Sequence, residues 1–470
     1  MRIALVIPHA EITDARAAGR GEQVSPLAEA LARLGHEVTI YAPGDPKARP
    51  ARATTTRGVT IRHLPAPAAG QQERGYPDDG ARRVRSFSDQ LARCWQQEPP
   101  DVAHAHYWTS GLAALAGARG LDVPVVQTFH SLGTPQPHDA QRAAGWPGGS
   151  PATGRARPPG TRRPAVGRAP GTTRPAGSAA RGRRTEPSPH LARLRLEVSL
   201  ARNVSAVLAS SSEEMTKLTG MGVPRASIRV VPWGVDTGRF DPEGPVAKRN
   251  GRPRLLAIGQ PGREQALDLV IRSLAEVPAA ELLIALGPAG HRPAGDGARP
   301  ALARLARDLG VADRISFTGE VSRGQLPALL RSADLLLSGD WEEPSGAVAL
   351  AAMACGTPVA AAATGAVSDA VIDGTTGIVV PPGQPSVLAR RIRLLLASPL
   401  QLDAFGIAAV DRARSRYSWD RIGRETLRAY ERCLPRLLVA EPETELAESD
   451  PDLEREPGPG RELAGLRATG

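Results

Sequence analysis

Short, continuously apolar runs recur along the chain, and between them apolar residues return every third or fourth position. The first run, RIALVIP from Arg2 to Pro8, shows no polar alternation, as expected of a strand buried on both faces of a parallel sheet. A segment bearing Gly19 and Gly21 follows, then VSPLAEALARLG, whose apolar residues share one helical face and which Gly35 closes. HEVTIYAP is a second strand, so the chain opens with one strand–turn–helix–strand unit. DVAHAHYW and VPVVQTFH read as further strands ending in histidines, and in open α/β sheets ligands sit beyond the carboxyl ends of strands. SAVLASS and SIRVVPWGVD continue the alternation up to a linker from Asp241 to Pro253. The second half starts afresh with RLLAIG, ELLIALG, RISFTG, DLLLSG, PVAAAA and GIVVPP, separated by helical patterns. Two doubly wound α/β domains are predicted, with helical segments from Ser386 to about Leu434.

The pattern fails between Thr134 and His190, where Pro or Gly returns every few residues without periodicity. Such a segment cannot bury enough surface to offset chain entropy and is expected to be disordered, as is the acidic Pro/Gly tail. It holds ten Arg against Asp139 and Glu186, so the net charge of +10 is concentrated there and not on a patterned face. That distribution argues against nucleic acid as a partner. Two origins of the segment stay open. It is a flexible arm drawn to an acceptor or to anionic lipid, or it is GC-rich DNA translated out of frame.

Lysine occurs only at Lys47, Lys217 and Lys248, against 56 arginines, which fits a GC-rich genome. The three cysteines, Cys94, Cys355 and Cys433, have neither metal-ligand spacing nor a disulfide framework. MRIALVIPHA is too short and too soon broken to be a signal peptide, and no apolar stretch is long enough to span a membrane. The expected location is the cytoplasm, with peripheral contact at the inner membrane face allowed by the basic segment.

WEEPSGAVALAAMACG, from Trp341 to Gly356, places Glu342 and Glu343 in a turn before an almost wholly apolar helix. A helix N-terminus offers unpaired N–H groups and a positive dipole end, a seat for phosphate. A carboxylate beside that seat either hydrogen-bonds ligand hydroxyls or simply complements the dipole. Spacing alone leaves both readings open.

Taken in order, the Gly-bearing first turn with LARLGHEVTIY, DVAHAHYWTSG, VVPWGVDTGRF, FTGEVSRGQLPALLRSADLLL, EPSGAVALAAMACGTPV and RYSWDRI resemble the retaining glycosyltransferases of family 4, which have the GT-B fold. The resemblance covers about residues 1–133 and 190–435. It implies a GT-B architecture of two Rossmann-like domains facing across a cleft. The N-terminal, acceptor-side domain would span 1–236, including the 134–190 insert, followed by a linker over 237–251. The nucleotide-sugar-binding domain would span 252–415, with a helix over 416–438 returning to the first domain and a tail over 439–470. The implied activity is transfer of a hexose from a nucleotide-diphosphate sugar, a UDP- or GDP-sugar, with no metal and no cofactor. The acceptor would be a small molecule, a lipid or a glycan.

By the same resemblance, Glu343 matches the carboxylate on the donor-sugar hydroxyls, and Gly346 and Ala347 would present backbone N–H groups to the diphosphate. Phe317, Gly319 and Val321 fall in the loop around the base, and Gly19 and Gly21 in the glycine turn near the phosphates. His106 matches the histidine at the reacting sugar and His130 a second active-site histidine, while strand alternation is expected to turn His104 away. Three positions depart from the pattern. Gln260 stands where the family has a diphosphate-binding Arg, Gln265 where it has a Lys, and Ala351 where a Glu holds the ribose. Arg263, in the same loop, is a candidate substitute cation. These departures motivate an alternative: a catalytically weak or inactive homologue acting as a binding or partner subunit.

Overall fold

The structure, a computed structural model, describes residues 1–8, 24–44, 50–65, 77–133, 189–259, 264–286, 298–338 and 346–434. The two segments expected to be disordered, 134–190 and the tail, therefore lie almost entirely outside the described residues.

The apolar runs become strands of two separate sheets. The first has eight strands: β1 (Arg2–Val6), β2 (Glu37–Gly44), β3 (Arg52–Thr54), β4 (Thr60–Pro65), β5 (Val102–His106), β6 (Val125–Thr128), β7 (Ala206–Ala209) and β8 (Ile228–Val230), in the order β3-β4-β2-β1-β5-β6-β7-β8. All its pairs are parallel except β3–β4 at the edge. The second has six parallel strands: β9 (Arg254–Gly259), β10 (Glu281–Leu286), β11 (Ile315–Glu320), β12 (Leu335–Ser338), β13 (Val359–Ala362) and β14 (Gly377–Val380), in the order β11-β10-β9-β12-β13-β14. Strand order reverses at β1/β5 in one sheet and at β9/β12 in the other, where such folds open a crevice for ligands.

Helices cover both faces, as parallel sheets require. They are α1 (Val24–Arg33), α2 (Pro77–Gln97), α3 (Trp108–Gly117), α4 (Pro189–Asn203) and α5 (Ser212–Gly220) in the first half. In the second half come α6 (Glu264–Ala275), α7 (Ala298–Asp308), α8 (Leu326–Arg331), α9 (Ala347–Ala354), α10 (Gly365–Ala370), α11 (Pro385–Leu396), α12 (Pro399–Tyr417) and α13 (Trp419–Glu431). The sequence reading did not foresee β3, β4, α2, α3 or α5, and it ran the DVAHAHYW strand on into Trp108, where α3 begins. No single described helix is long and apolar enough to cross a membrane.

Two sets of contacts join the halves. The last helix, α13, packs on α1: Gly423 faces Ala30 and Leu34, and Arg33 pairs with Asp420 at 2.8 Å. Where α12 passes into α13, the Val235 N–H donates to the Tyr417 carbonyl at 2.7 Å, and the Trp419 ring covers Gly234 so closely that a β-carbon there would clash. On the other side, the Ser212 N–H of α5 donates to Asp369 of α10 at 2.7 Å, and the Gly365 N–H returns a bond to Glu213.

Candidate active site

β5 and β6 are neighbours, with His106 opposite Thr128, and this register brings His106 and His130 together beyond the strand ends. Nδ1 of His106 lies 3.0 Å from Nε2 of His130. The His130 ring stacks on Tyr107, with centroids 4.1 Å apart and planes 11° from parallel, and tilts against Trp233 at 4.7 Å. Tyr107 and His130 both have positive φ, 70° and 61°. A side chain held there costs about 1–3 kcal/mol and needs the surroundings to enforce it. Here two such turns on adjacent strands set the two rings face to face at the β1/β5 switch point.

His104 differs from expectation. Alternation separates adjacent residues, whereas residues two apart share a face. Its ring therefore lies against His106, centroids 4.2 Å apart, and is not turned away. Nδ1 of His104 is 2.7 Å from the Tyr430 hydroxyl and Nε2 is 2.9 Å from the Thr128 hydroxyl.

Burial sets the charge of this cluster. It lowers the His106 pKa to about 3. It also lowers His104 and His130 well below the usual imidazole range, with neighbouring imidazoles adding to the effect. All three are neutral at physiological pH, so each can give one hydrogen bond and accept another but supplies no positive charge. His106 Nε2 is buried with no hydrogen-bond partner among the described residues. A bound hydroxyl would satisfy it.

The segment after His130 is anchored from α4. Glu197, wholly buried, accepts from the Gly133 N–H and from Arg193 Nε, each at 2.7 Å, and Arg193 also donates to the Ser131 carbonyl at 2.9 Å. Glu197→Gln is expected to destabilise the chain by about 2–3 kcal/mol, since hydrogen bonds to a charged group contribute roughly 1.5–3 kcal/mol each. Urea unfolding checks this, with exposed Arg195→Gln as a control expected to change stability by less than about 0.5 kcal/mol.

In the second sheet, Gly346 caps α9 in the left-handed conformation, φ 61° and ψ 19°, and lies against Ala366 and Val367 of α10. Ala347 is the first residue of α9. Ala351, one turn further on, is 3% exposed within an apolar cluster that includes Leu350 and Met353. Phe317 and Gly319 lie on edge strand β11, separated from β12 by β10 and β9, and the Arg299 guanidinium sits 5.6 Å from the Phe317 ring centroid. Val321 follows β11 and packs toward the cluster around α9. Gln265 lies in the first turn of α6. Gly19, Gly21, Gln260, Arg263, Glu342 and Glu343 lie outside the described residues.

Sequence reasoning missed Tyr107, Thr128, Trp233, Tyr430 and Glu197. Glu197 carried a usable signal, a carboxylate among Leu194, Leu200 and Ala201 on one helical face with Arg193 four residues before it. Tyr430 carried none, being 326 residues from the ring it touches.

Comparison with known proteins adds the following. The model of Glycosyltransferase Family 4 matches residues 19–239, and that of Glycosyl transferases group 1 matches residues 243–412. The chain is 30% identical over 440 residues to a D-inositol 3-phosphate glycosyltransferase of Frankia alni, spanning 90% of this chain and 97% of that one. It is 30% identical over 432 residues to the protein of the same name from Actinosynnema mirum, spanning 88% and 92%. Among solved structures, sucrose-phosphate synthase from Thermosynechococcus elongatus superposes with a TM-score of 0.69 at 23% identity, over 92% of this chain and 98% of that one. HepE of Anabaena in complex with UDP-glucose superposes with a TM-score of 0.60 at 15% identity, over 92% and 99%. At these identities the structural likeness establishes the fold.

Proposed function

The chain belongs to the glycosyltransferases of family 4, with the GT-B fold, and from that premise we propose that it transfers a hexose from a nucleotide-diphosphate sugar to an acceptor hydroxyl with retention. The observation that carries this reading is the neutral His106–His130 pair, with Nε2 of His106 buried at the strand ends and without a hydrogen-bond partner among the described residues. In the proposed step the bond from the anomeric carbon to the diphosphate oxygen breaks. The acceptor oxygen bonds on the same face, and the departing phosphate oxygen takes the acceptor's proton. Fixed dipoles aimed at that growing charge do most of the work in such a reaction. Gly346, Ala347 and the Gly19/Gly21 turn would supply them, Glu343 and His106 would hold the sugar, and Phe317 to Val321 would frame the base. Arg263 would stand in for the missing diphosphate cations.

A uridine donor is the first choice, because HepE is known in complex with UDP-glucose. D-inositol 3-phosphate is the first acceptor to try, because the relatives are named for it; lipid and glycan acceptors come next. Titration calorimetry with UDP-, GDP- and ADP-sugars is expected to show one conjugate binding near micromolar, and millimolar binding to all of them would overturn the reading. Arg263→Ala is expected to weaken donor binding by roughly 10- to 150-fold; an unchanged Kd removes Arg263 from the site. The relatives are named for sugar transfer, so a binding subunit without turnover rests only on Gln260, Gln265 and Ala351.

A further inference from the structure

His104 is not itself assigned to substrate, yet both its ring nitrogens are engaged, one from β6 through Thr128 and one from α13 through Tyr430. The Tyr430 ring meets His104 edge-on, with centroids 5.6 Å apart, and the opposite neighbour of His104 in the cluster is His106. All four side chains are buried. The helix that returns from the second half to cover α1 therefore also delivers a hydroxyl to the ring beneath the candidate sugar-contacting histidine.

We propose that Tyr430 and His104 are positioning residues for sugar transfer: Tyr430 fixes the tautomer and orientation of His104, and His104 fixes the ring plane of His106. This rests on the reading of His106 as the group at the reacting sugar. The proton order follows from acidity. A phenol is a stronger acid and a weaker base than an aliphatic hydroxyl, so Tyr430 donates to Nδ1 and the His104 Nε2–H donates to the Thr128 oxygen. The reverse order would strand the buried Tyr430 proton, with no other acceptor among the described residues. Tyr430→Phe keeps the packing ring and removes only the donor to Nδ1. His104 then keeps only Thr128, which can accept or donate and so holds no single tautomer, and the ring against His106 is no longer held in one orientation. Small misplacements at a reacting centre are costly, up to about 100-fold for 1 Å.

The test uses the full chain labelled with 15N-histidine, in wild-type form and as Tyr430→Phe, Thr128→Val and Thr128→Ser. Nitrogen shifts are expected to show His104 as the Nε2–H tautomer in the wild type and as a tautomer mixture in Tyr430→Phe. Release of nucleoside diphosphate is expected to fall about tenfold in kcat for Tyr430→Phe and Thr128→Val, with donor KM within about twofold, and Thr128→Ser is expected to restore it. An Nδ1–H tautomer, or a tautomer and kcat unchanged in Tyr430→Phe, overturns the proposal. If no donor turns over, the transfer reading fails, and the tautomer measurement still decides whether Tyr430 sets His104.

Discussion

Placing arginine at 260 and lysine at 265 together is expected to tighten donor binding by roughly 100- to 10,000-fold. Each charge-assisted contact to a diphosphate contributes roughly 1.5–3 kcal/mol, and two such contacts are missing. Gln260 follows β9 directly in sequence and Gln265 lies in the first turn of α6, after the strand that forms the switch point with β12, where such folds bind ligands. The gain in kcat should exceed the gain in affinity, because negative charge on the leaving group grows toward the transition state. Calorimetry with the donor, followed by steady-state kinetics, checks both. An unchanged Kd in Gln260→Arg/Gln265→Lys would show that these positions do not correspond to the family's cations. Ala351→Glu is expected to behave differently. That side chain enters an apolar cluster, so an unpaired carboxylate costs on the order of 3 kcal/mol until ribose hydroxyls arrive. Thermal unfolding should fall without nucleotide and recover with it.

Acid is expected to destabilise the protein steeply below about pH 6.5, because His104 and His106, buried, and His130, half-buried, are held as neutral imidazoles. Their folded pKa values lie below the ordinary 6.5, to about 3 for His106. Above 6.5 neither folded nor unfolded chain binds protons at these rings, and their contribution to stability is complete. As pH falls below 6.5 the unfolded chain takes up protons that the folded chain refuses, so stability is lost progressively toward the folded values. Each ring contributes a slope of about 1.4 kcal/mol per pH unit, and three together roughly 4. Urea midpoints at pH 7.5, 6.0 and 5.0 measure the slope. His106→Gln should flatten it by about a third, and a wild-type midpoint independent of pH would show that the imidazoles are not held neutral. Activity, by contrast, should show no imidazole titration between pH 6.5 and 8.

The sequence by itself determined the architecture. Uninterrupted apolar runs such as RIALVIP and RLLAIG can only be satisfied by burial on both faces, and their alternation with helical patterns leaves two doubly wound parallel sheets. The ordered motifs pointed to the family, and the strand-end positions of His106 and His130 were readable from local pattern alone. β3 and β4 escaped because ARATTTRGVTIRHLP is short and largely polar: β3 is the edge strand, made by pairing with its neighbour, and β4 sits inside it with few apolar residues, of which Ile61 and Leu64 are buried. The orientation of His104 was recoverable from strand geometry and was misread. What only the tertiary structure decided is what surrounds those histidines. Tyr430 reaches His104 across 326 residues, and Trp233 closes on His130 from a different loop. No periodicity encodes such meetings, because they depend on how α13 packs on α1 and on the strand order of the sheet. Desolvation, which makes the imidazoles neutral, is likewise a property of the packed whole and of no single segment.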